Sequence, residues 1–291
     1  MHIRPMSPED VTTAEEISAD AFLALDLATR RPHDPEPVRR PPAGAAGWVA
    51  RTEQFLVTDP GGSWVAEDDD GVVGFATSFR RERVWCLATF AVRPGRQGAG
   101  TGARLLAAAE AYGADCPHGM LAASDDPRAA RRYHAAGFTL HPQMTLTGTV
   151  DRAGLPAATA VGPAVREGGA DDQEWMDDLD RARRGGPHGP DHARLRAAGR
   201  LLVTADRTGY AYANGQLLAL LAAADEAAAR ALLVACLAGA EGRFSIDHVT
   251  AANAWAVGPA LAARLDLGTS GYLGLRGLAP PTPYVHHGAL L

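Results

Sequence analysis

The stretch Phe90-Ala91-Val92-Arg93-Pro94-Gly95-Arg96-Gln97-Gly98-Ala99-Gly100-Thr101-Gly102-Ala103 decides the fold. It opens as the apolar end of a strand, Val84 to Val92, and closes as the start of an Ala- and Leu-rich helix, Ala103 to Ala114. Pro94 lacks the N–H that strand pairing requires, and the glycines at 98, 100 and 102 permit a turn in which successive N–H groups converge where the helix begins. Such a turn cradles an anion. The helix dipole favours a charge by about 0.3–1 kcal/mol, and each hydrogen bond to a charged phosphate oxygen adds about 1.5–3 kcal/mol. The glycines alone are equally compatible with a plain turn, so the flanks matter.

Upstream, the Ser7-Pro8-Glu9-Asp10 start signal precedes a helix over Glu9 to Leu27. A Pro/Gly/Ala-dense loop is expected over His33 to Ala46 and a short helix over Trp48 to Val57. Ser63 to Glu67, Val72 to Phe79 and Val84 to Val92 then read as strands of an antiparallel meander, with Met120 to Ser124 as a further strand. Pro127 to Ala136 is a helix stopped by Gly137, and Phe138 starts another strand. A dinucleotide-binding G-x-G-x-x-G turn would instead follow the first strand of a parallel unit, which this meander does not provide.

Beyond a linker at Ala153 to Pro163 the same order returns. Helices are expected at Asp171 to Arg183, His192 to Ala198, Glu226 to Ala240 and Ala252 to Arg264. Strands are expected at Leu201 to Ala205, Gly209 to Ala213, Leu217 to Ala222, Phe244 to Val249 and Tyr272 to Leu275. A repeat this long implies duplicated domains rather than a solenoid. The fold class is α/β with a mixed α+β sheet, in two tandem domains over residues 1–150 and 164–291 joined by 151–163. The second copy lacks the cradle: Ala223-Ala224-Asp225-Glu226 puts two carboxylates where an anion would sit. The final segment, Ala279 to Leu291, has a stiff Pro-rich start and an apolar tip. It is expected either to wall the acceptor side of the first domain's cleft, together with the loop His33 to Ala46, or to fill a gap in its own domain's core.

Composition narrows the chemistry. The 291 residues are 46% hydrophobic and 21% charged, the balance of a globular protein, and the net charge of −6 argues against a nucleic-acid partner. All 28 basic residues are Arg, which excludes a lysine nucleophile, a PLP Schiff base and a P-loop lysine. Cys86, Cys116 and Cys236 are dispersed, so no disulfide framework or thiolate metal site is expected, and a reducing cytoplasm fits. No membrane span is seen, because Asp225, Glu226 and Arg230 interrupt Leu217 to Ala240, the longest apolar stretch. The pairs His188/His192 and His286/His287 read as exposed loop histidines rather than metal ligands, so no metal is expected.

The opening stretch resembles the V-x-P-x-x-[QR]-x-x-G-x-[GA] motif of the GNAT superfamily of N-acetyltransferases, with Val92, Pro94, Gln97, Gly100 and Gly102 at its positions. Asp126-Pro127-Arg128-Ala129-Ala130-Arg131-Arg132-Tyr133-His134-Ala135-Ala136-Gly137-Phe138 is similar to that superfamily's later N-x-x-A-x-x-x-Y-x-x-x-G-F motif, with Asp126 in place of Asn. The resemblance implies splayed sheets and acetyl-CoA, or another acyl-CoA, as cosubstrate. Backbone groups of Phe90, Ala91 and Val92 would hold its pantetheine, Gln97, Gly98, Ala99, Gly100, Thr101 and Gly102 its pyrophosphate, and Asp126 would assist. It also implies Tyr133 as proton donor to the departing thiolate.

An alkylammonium acceptor must lose a proton, at a cost of about 4.6 kcal/mol at pH 7. Trp85 to Thr89 carry no carboxylate where many relatives place the base. Glu82, Glu53 or a carboxylate from the other half, acting through water, are the candidates. The implied reaction is direct acetyl transfer, in a ternary complex, to an amine of a small molecule or peptide by a monomer or homodimer. A longer or carrier-protein-bound acyl donor, and a non-catalytic CoA sensor or scaffold, remain open alternatives.

Overall fold

The structure, a computed structural model, describes residues 1–30, 36–156 and 161–291. Its strands and helices fall into two compact units, residues 1–119 with 125–132, and residues 120–124 with 133–291.

In the first unit, β1 (His2–Pro5), β2 (Ser63–Asp68), β3 (Gly71–Arg81) and β4 (Val84–Val92) form the expected meander, each antiparallel to the next. Strand β1 is an addition to the expected set. Its four residues show no apolar alternation, and it is held by pairing to β2 and by Arg4, which bridges Asp10 at 2.7 Å and Glu67 at 3.0 Å. One face of the meander is covered by α1 (Val11–Thr29) and α2 (Pro42–Thr58): Val11, Ala14, Ile17 and Trp48 cluster with Val65, Phe75 and Ala91. Gly74 faces the opposite side from Phe75, and there Leu105 of α3 (Thr101–Tyr112) lies against it.

Helix α2 corrects one expectation. It begins at Pro42 rather than Trp48, so the expected loop over 33–46 holds only for 36–41, with its residues 33–35 outside the described ones. Proline at the first helical position sacrifices no bond, and Ala43, Ala45 and Ala46 favour helix enough to carry Gly44 and Gly47, which cost about 1 kcal/mol each. In β4 the register steps from Thr77↔Thr89 to Ser78↔Leu87, leaving Ala88 as an extra, bulged residue.

The second unit orders its strands β5-β12-β6-β11-β10-β9-β8-β7, where β5 is His118–Ala123, β6 Thr139–Thr149, β7 Val165–Glu167, β8 Arg200–Thr204, β9 Gly209–Asn214, β10 Leu217–Ala223, β11 Arg243–Thr250 and β12 Asp266–Arg276. The two repeats exchange their last strands here. Strand β12, the counterpart of β6, lies between β5 and β6, while β6 pairs along its other edge with β11. The sequence repeat divides near residue 150, whereas β6 and residues 120–123 of β5 belong to the compact unit of the second half.

Apolar residues of α7 (Glu226–Ala238), among them Leu232, Leu233 and Leu237, form the core with Leu221, Phe244, Ile246 and Trp255. The expected helix over Ala252 to Arg264 is instead a 3₁₀ turn, Ala251–Ala256, followed by a short α8 (Val257–Ala262). Asn253 leaves helical geometry there because its side chain serves other partners: Nδ2 donates to Pro281 O at 2.9 Å, and Oδ1 accepts from Tyr284 N–H at 2.8 Å and Trp255 Nε1–H at 2.9 Å. Of the expected linker 153–163, residues 157–160 lie outside the described ones.

Strands β10 and β11 run parallel and pair only over Leu217↔Ser245 and Leu218↔Ile246. Further along, β13 (Tyr284–Val285) takes the vacated edge of β10, antiparallel, and Ala223 N–H donates to Pro283 O at 3.1 Å. Leu290 and Leu291 are 1% and 0% exposed, which builds the final segment into its own unit. Among the described residues no helix is long and apolar enough to cross a membrane.

Removing Tyr284–Leu291 is therefore expected to lower the melting temperature by at least about 5 °C. Four large buried side chains, at about 1.5–3 kcal/mol each, are lost with a strand pairing. Calorimetry of the shortened chain checks this, and an unchanged melting temperature would refute it.

Candidate functional site

Strand β4 stops at Val92, and the chain turns over Arg93–Gly100 before α3 begins. Arg93 N–H donates to Val73 O at 2.8 Å and Gln97 Nε2 to Val92 O at 3.1 Å, which fixes both ends of the turn. Gly95, Gly98 and Gly100 have φ of 82°, 94° and 83°, the left-handed region, and a Cβ on any of the three would meet nothing within 4 Å. The turn is open on its outer side, and residues 94–100 are exposed.

Helix α3 then starts without a side-chain cap: its N-cap is Gly100. Thr101, at the first helical position, is 2% exposed and its hydroxyl has no hydrogen-bond partner. An uncapped helix start, open glycines and an orphaned buried hydroxyl form a donor set suited to phosphate oxygens.

Of the residues that the motifs single out, the structure brings Gln97, Gly98, Ala99, Gly100, Thr101 and Gly102 together with the end of β4, where Phe90 is half-buried and Ala91 and Val92 are buried. Asp126 joins them through a residue that sequence reasoning passed over. Arg128 Nη1 donates to Gln97 Oε1 at 2.6 Å, while its Nε and Nη2 hold the Asp126 carboxylate at 2.9–3.2 Å. Burial opposes ionisation of Asp126, but the Arg128 guanidinium and backbone N–H groups outweigh it and hold the carboxyl below its ordinary value. Tyr133 is 5% exposed on α4 (Pro127–Ala135). Its carbonyl accepts from Ala136 and Phe138 N–H as the chain turns through Gly137, at φ 86°.

Glu82 is not part of this grouping. It is exposed, at φ 52°, in the turn before β4, separated from the cradle by that nine-residue strand, about 30 Å long. Cys86 is fully buried.

The matching helix of the second half closes on itself. Asp225 caps α7, its Oδ1 accepting from Ala228 N–H at 2.9 Å. A carboxylate thus occupies the place a phosphate oxygen would take, and β13 lies on the edge of β10.

The histidine pairs correct the sequence reading, because His188, His192 and His286 are buried rather than exposed. The signal was present in the spacing of Asp177, Asp180, His188 and His192, two of them on α5 (Gln173–Arg184) and the last on α6 (Asp191–Ala198). Asp180 accepts from Tyr210 Oη–H at 2.5 Å and from His188 Nδ1–H at 2.6 Å. His192 Nε2 lies 3.2 Å from Asp177 Oδ1, and its Nδ1 lies 3.1 Å from Tyr212 Oη. Asp180, His188 and His192 are close enough to converge on a metal ion. Arg184, however, approaches His188 Nε2 at 3.2 Å as a donor, which places the ring proton on Nδ1, the atom facing Asp180. The cluster therefore satisfies itself by hydrogen bonding.

Burial pushes His188, His248 and His286 below the ordinary histidine value. A histidine depressed in the folded state is protonated first in the unfolded state, so stability is full above about pH 6.5 and falls as pH drops below it. The melting temperature is expected to decline from pH 7.5 to pH 5, with a shallower decline in His286→Gln. A flat profile would overturn this assignment.

Residues 24–138 match the family described as "Acetyltransferase (GNAT) family". A provisionally assigned acetyltransferase from Pyrococcus horikoshii superposes with a TM-score of 0.73 at 17% identity, over 100% of this chain and 94% of that one. A GNAT protein from Kribbella flavida gives 0.59 at 16%, over 94% and 70%. A tandem GNAT protein from the clavulanic acid biosynthesis pathway gives 0.58 at 15%, over 96% and 99%. At these identities the likeness is one of fold. No curated protein sequence matches the chain.

Proposed function

Because residues 24–138 match the acetyltransferase (GNAT) family and the whole chain has the fold of tandem GNAT proteins, we propose that it transfers an acetyl group from acetyl-CoA to an amine of a small molecule or peptide. The observation that carries this reading is the uncapped start of α3, where Gly98 and Gly100 are left-handed and the Thr101 hydroxyl is orphaned. The donor's diphosphate satisfies that helix start, and the end of β4 takes the pantetheine arm by strand addition through Phe90, Ala91 and Val92.

Bound there, acetyl-CoA supplies an activated thioester. The protein's own part is positional and electrostatic. The bulge at Ala88 takes one residue of β4 out of the ladder, so main chain is available to face the acetyl carbonyl. A single such N–H donor is worth about 2.7–4 kcal/mol if oxyanion-hole values transfer. Tyr133 gives its proton to the departing thiolate. Glu82 lies too far along β4 to take the amine proton directly, so the proton leaves through water, relayed to Glu82, Glu53 or a carboxylate of the second half.

One acetyl-CoA is expected per chain, because α3 starts on Gly100 with no side-chain cap, whereas its counterpart α7 is capped by Asp225. Titration calorimetry should give a stoichiometry near one. Gly100→Val should weaken binding at least about tenfold, since valine at φ 83° is strained and its side chain enters the open face. Two equivalent sites, or binding indifferent to the valine, would sink the reading. Release of free thiol with a panel of amines separates an enzyme from a protein that only binds CoA.

Tyr133→Phe is expected to lower kcat by about 10²–10⁴-fold while leaving the CoA dissociation constant nearly unchanged. A kcat within about twofold of wild type would assign leaving-group protonation elsewhere.

A further inference from the structure

The cradle is surrounded by arginines, and most are committed. Arg93 donates to Val72 O, Arg96 pairs with Asp68 and Asp70, Arg104 reaches Met1 O at 3.4 Å, and Arg128 is held by Asp126 and Gln97. Arg132 differs. Its Nη1 is buried and has no hydrogen-bond partner among the described residues. It lies where α3 begins: a Cβ built on Gly102 would fall 2.6 Å from Nη1 and 3.2 Å from Cζ, with the Phe90 ring 3.0 Å away on the same spot.

Gly102 thus leaves the space in which the Arg132 guanidinium lies over the second residue of α3, and any larger residue would push it out. A buried guanidinium nitrogen with nothing to donate to is costly. A second orphan, the Thr101 hydroxyl, sits one residue before Gly102, and both lie at a helix start that carries a positive partial charge and no cap.

We propose that Arg132 is the cation that recognises the diphosphate of the acyl donor. It sets affinity for diphosphate-bearing donors and takes no part in acyl transfer. A guanidinium supplies here the fixed charge and paired N–H donors that a lysine-free chain cannot obtain from an ammonium group. This inference rests on the reading that acetyl-CoA is the donor.

The test compares two donors, acetyl-CoA and S-acetylpantetheine, which lacks the diphosphate. Arg132→Gln is expected to raise KM for acetyl-CoA and the dissociation constant for CoA about 10–100-fold, with kcat and all parameters for S-acetylpantetheine within about twofold of wild type. Arg131→Gln removes the same charge from an exposed position of the same helix and is expected to change neither.

Three results would overturn the assignment. They are CoA affinity within twofold in Arg132→Gln, equal losses with both donors, which would make the residue a packing element of α4, and an Arg131→Gln effect as large as that of Arg132→Gln, which would reduce it to net charge. Should Arg132→Gln melt at low temperature, Arg132→Lys keeps the charge and the aliphatic stem and carries the same two-donor comparison. A wild-type protein that fails to bind CoA would remove the donor reading itself, whereas wild-type binding with an indifferent Arg132→Gln removes only Arg132.

Discussion

Every α-helix begins with backbone N–H groups that have no partner inside the helix, and what satisfies them at α3 and α7 separates the two halves of this chain. Helix α7 is capped by its own Asp225 at 2.9 Å. Helix α3 begins on left-handed Gly100, which has no side chain to offer. A side-chain cap contributes about 0.5–2 kcal/mol to helix stability, so α3 forgoes that stabilisation and keeps its first N–H groups free of any side-chain cap. The features beside it follow from the same constraint: Gly102 has no Cβ because a guanidinium lies against it, and the glycines at 95, 98 and 100 leave the turn open.

The second half shows what the same outline becomes once that constraint is lifted. Both third-to-fourth strand pairings of the repeat carry a register step, at Thr77/Ser78 against β4 and at Leu218/Leu220 in β10, so the bulge survives duplication. In β10 the edge beyond the short parallel pairing with β11 is taken by Tyr284 and Val285 of the chain itself. An unpaired edge among buried strands would leave backbone groups unsatisfied, and a strand supplied in cis removes that cost. The cap on α7 closes the kind of helix start that α3 leaves without a side-chain cap, and β13 on the edge of β10 is a separate closure within the second half.

Much of this was legible in the sequence. The meander, the glycine turn and α3 follow from local signals: β-branched runs, Pro94, and an Ala/Leu-rich segment after Gly102. The exchange of β6 and β12 was not legible, because strand order is set by pairing between segments more than a hundred residues apart and each strand's pattern is the same whichever neighbour it has. The start of α2 was missed for a local reason, since prolines and glycines obscured an alanine-rich first turn. His188 and His192 were misread because their Gly/Pro-rich surroundings look like surface loop. Their burial depends on Asp177 and Asp180 from α5 and Tyr210 and Tyr212 from β9, partners the spacing hints at but does not place. Arg132 carried no signal of its own, for in the sequence it is one of three arginines in five residues of α4.

Which of those arginines matters is decided by geometry rather than by charge. Arg128, Arg131 and Arg132 bring the same charge to one short helix, yet Arg128 is neutralised by Asp126, Arg131 faces solvent, and Arg132 alone keeps a buried, unpartnered nitrogen at the start of α3. An exposed charge is screened within about 8–10 Å at ordinary ionic strength, and a paired one has already spent its attraction. A guanidinium nitrogen shielded from water beside a helix start would act on an anion through a low-dielectric path, where the same charge is worth several times more. In a chain whose net charge is −6, attraction for an anion would have to come from local arrangement of this kind rather than from the overall charge.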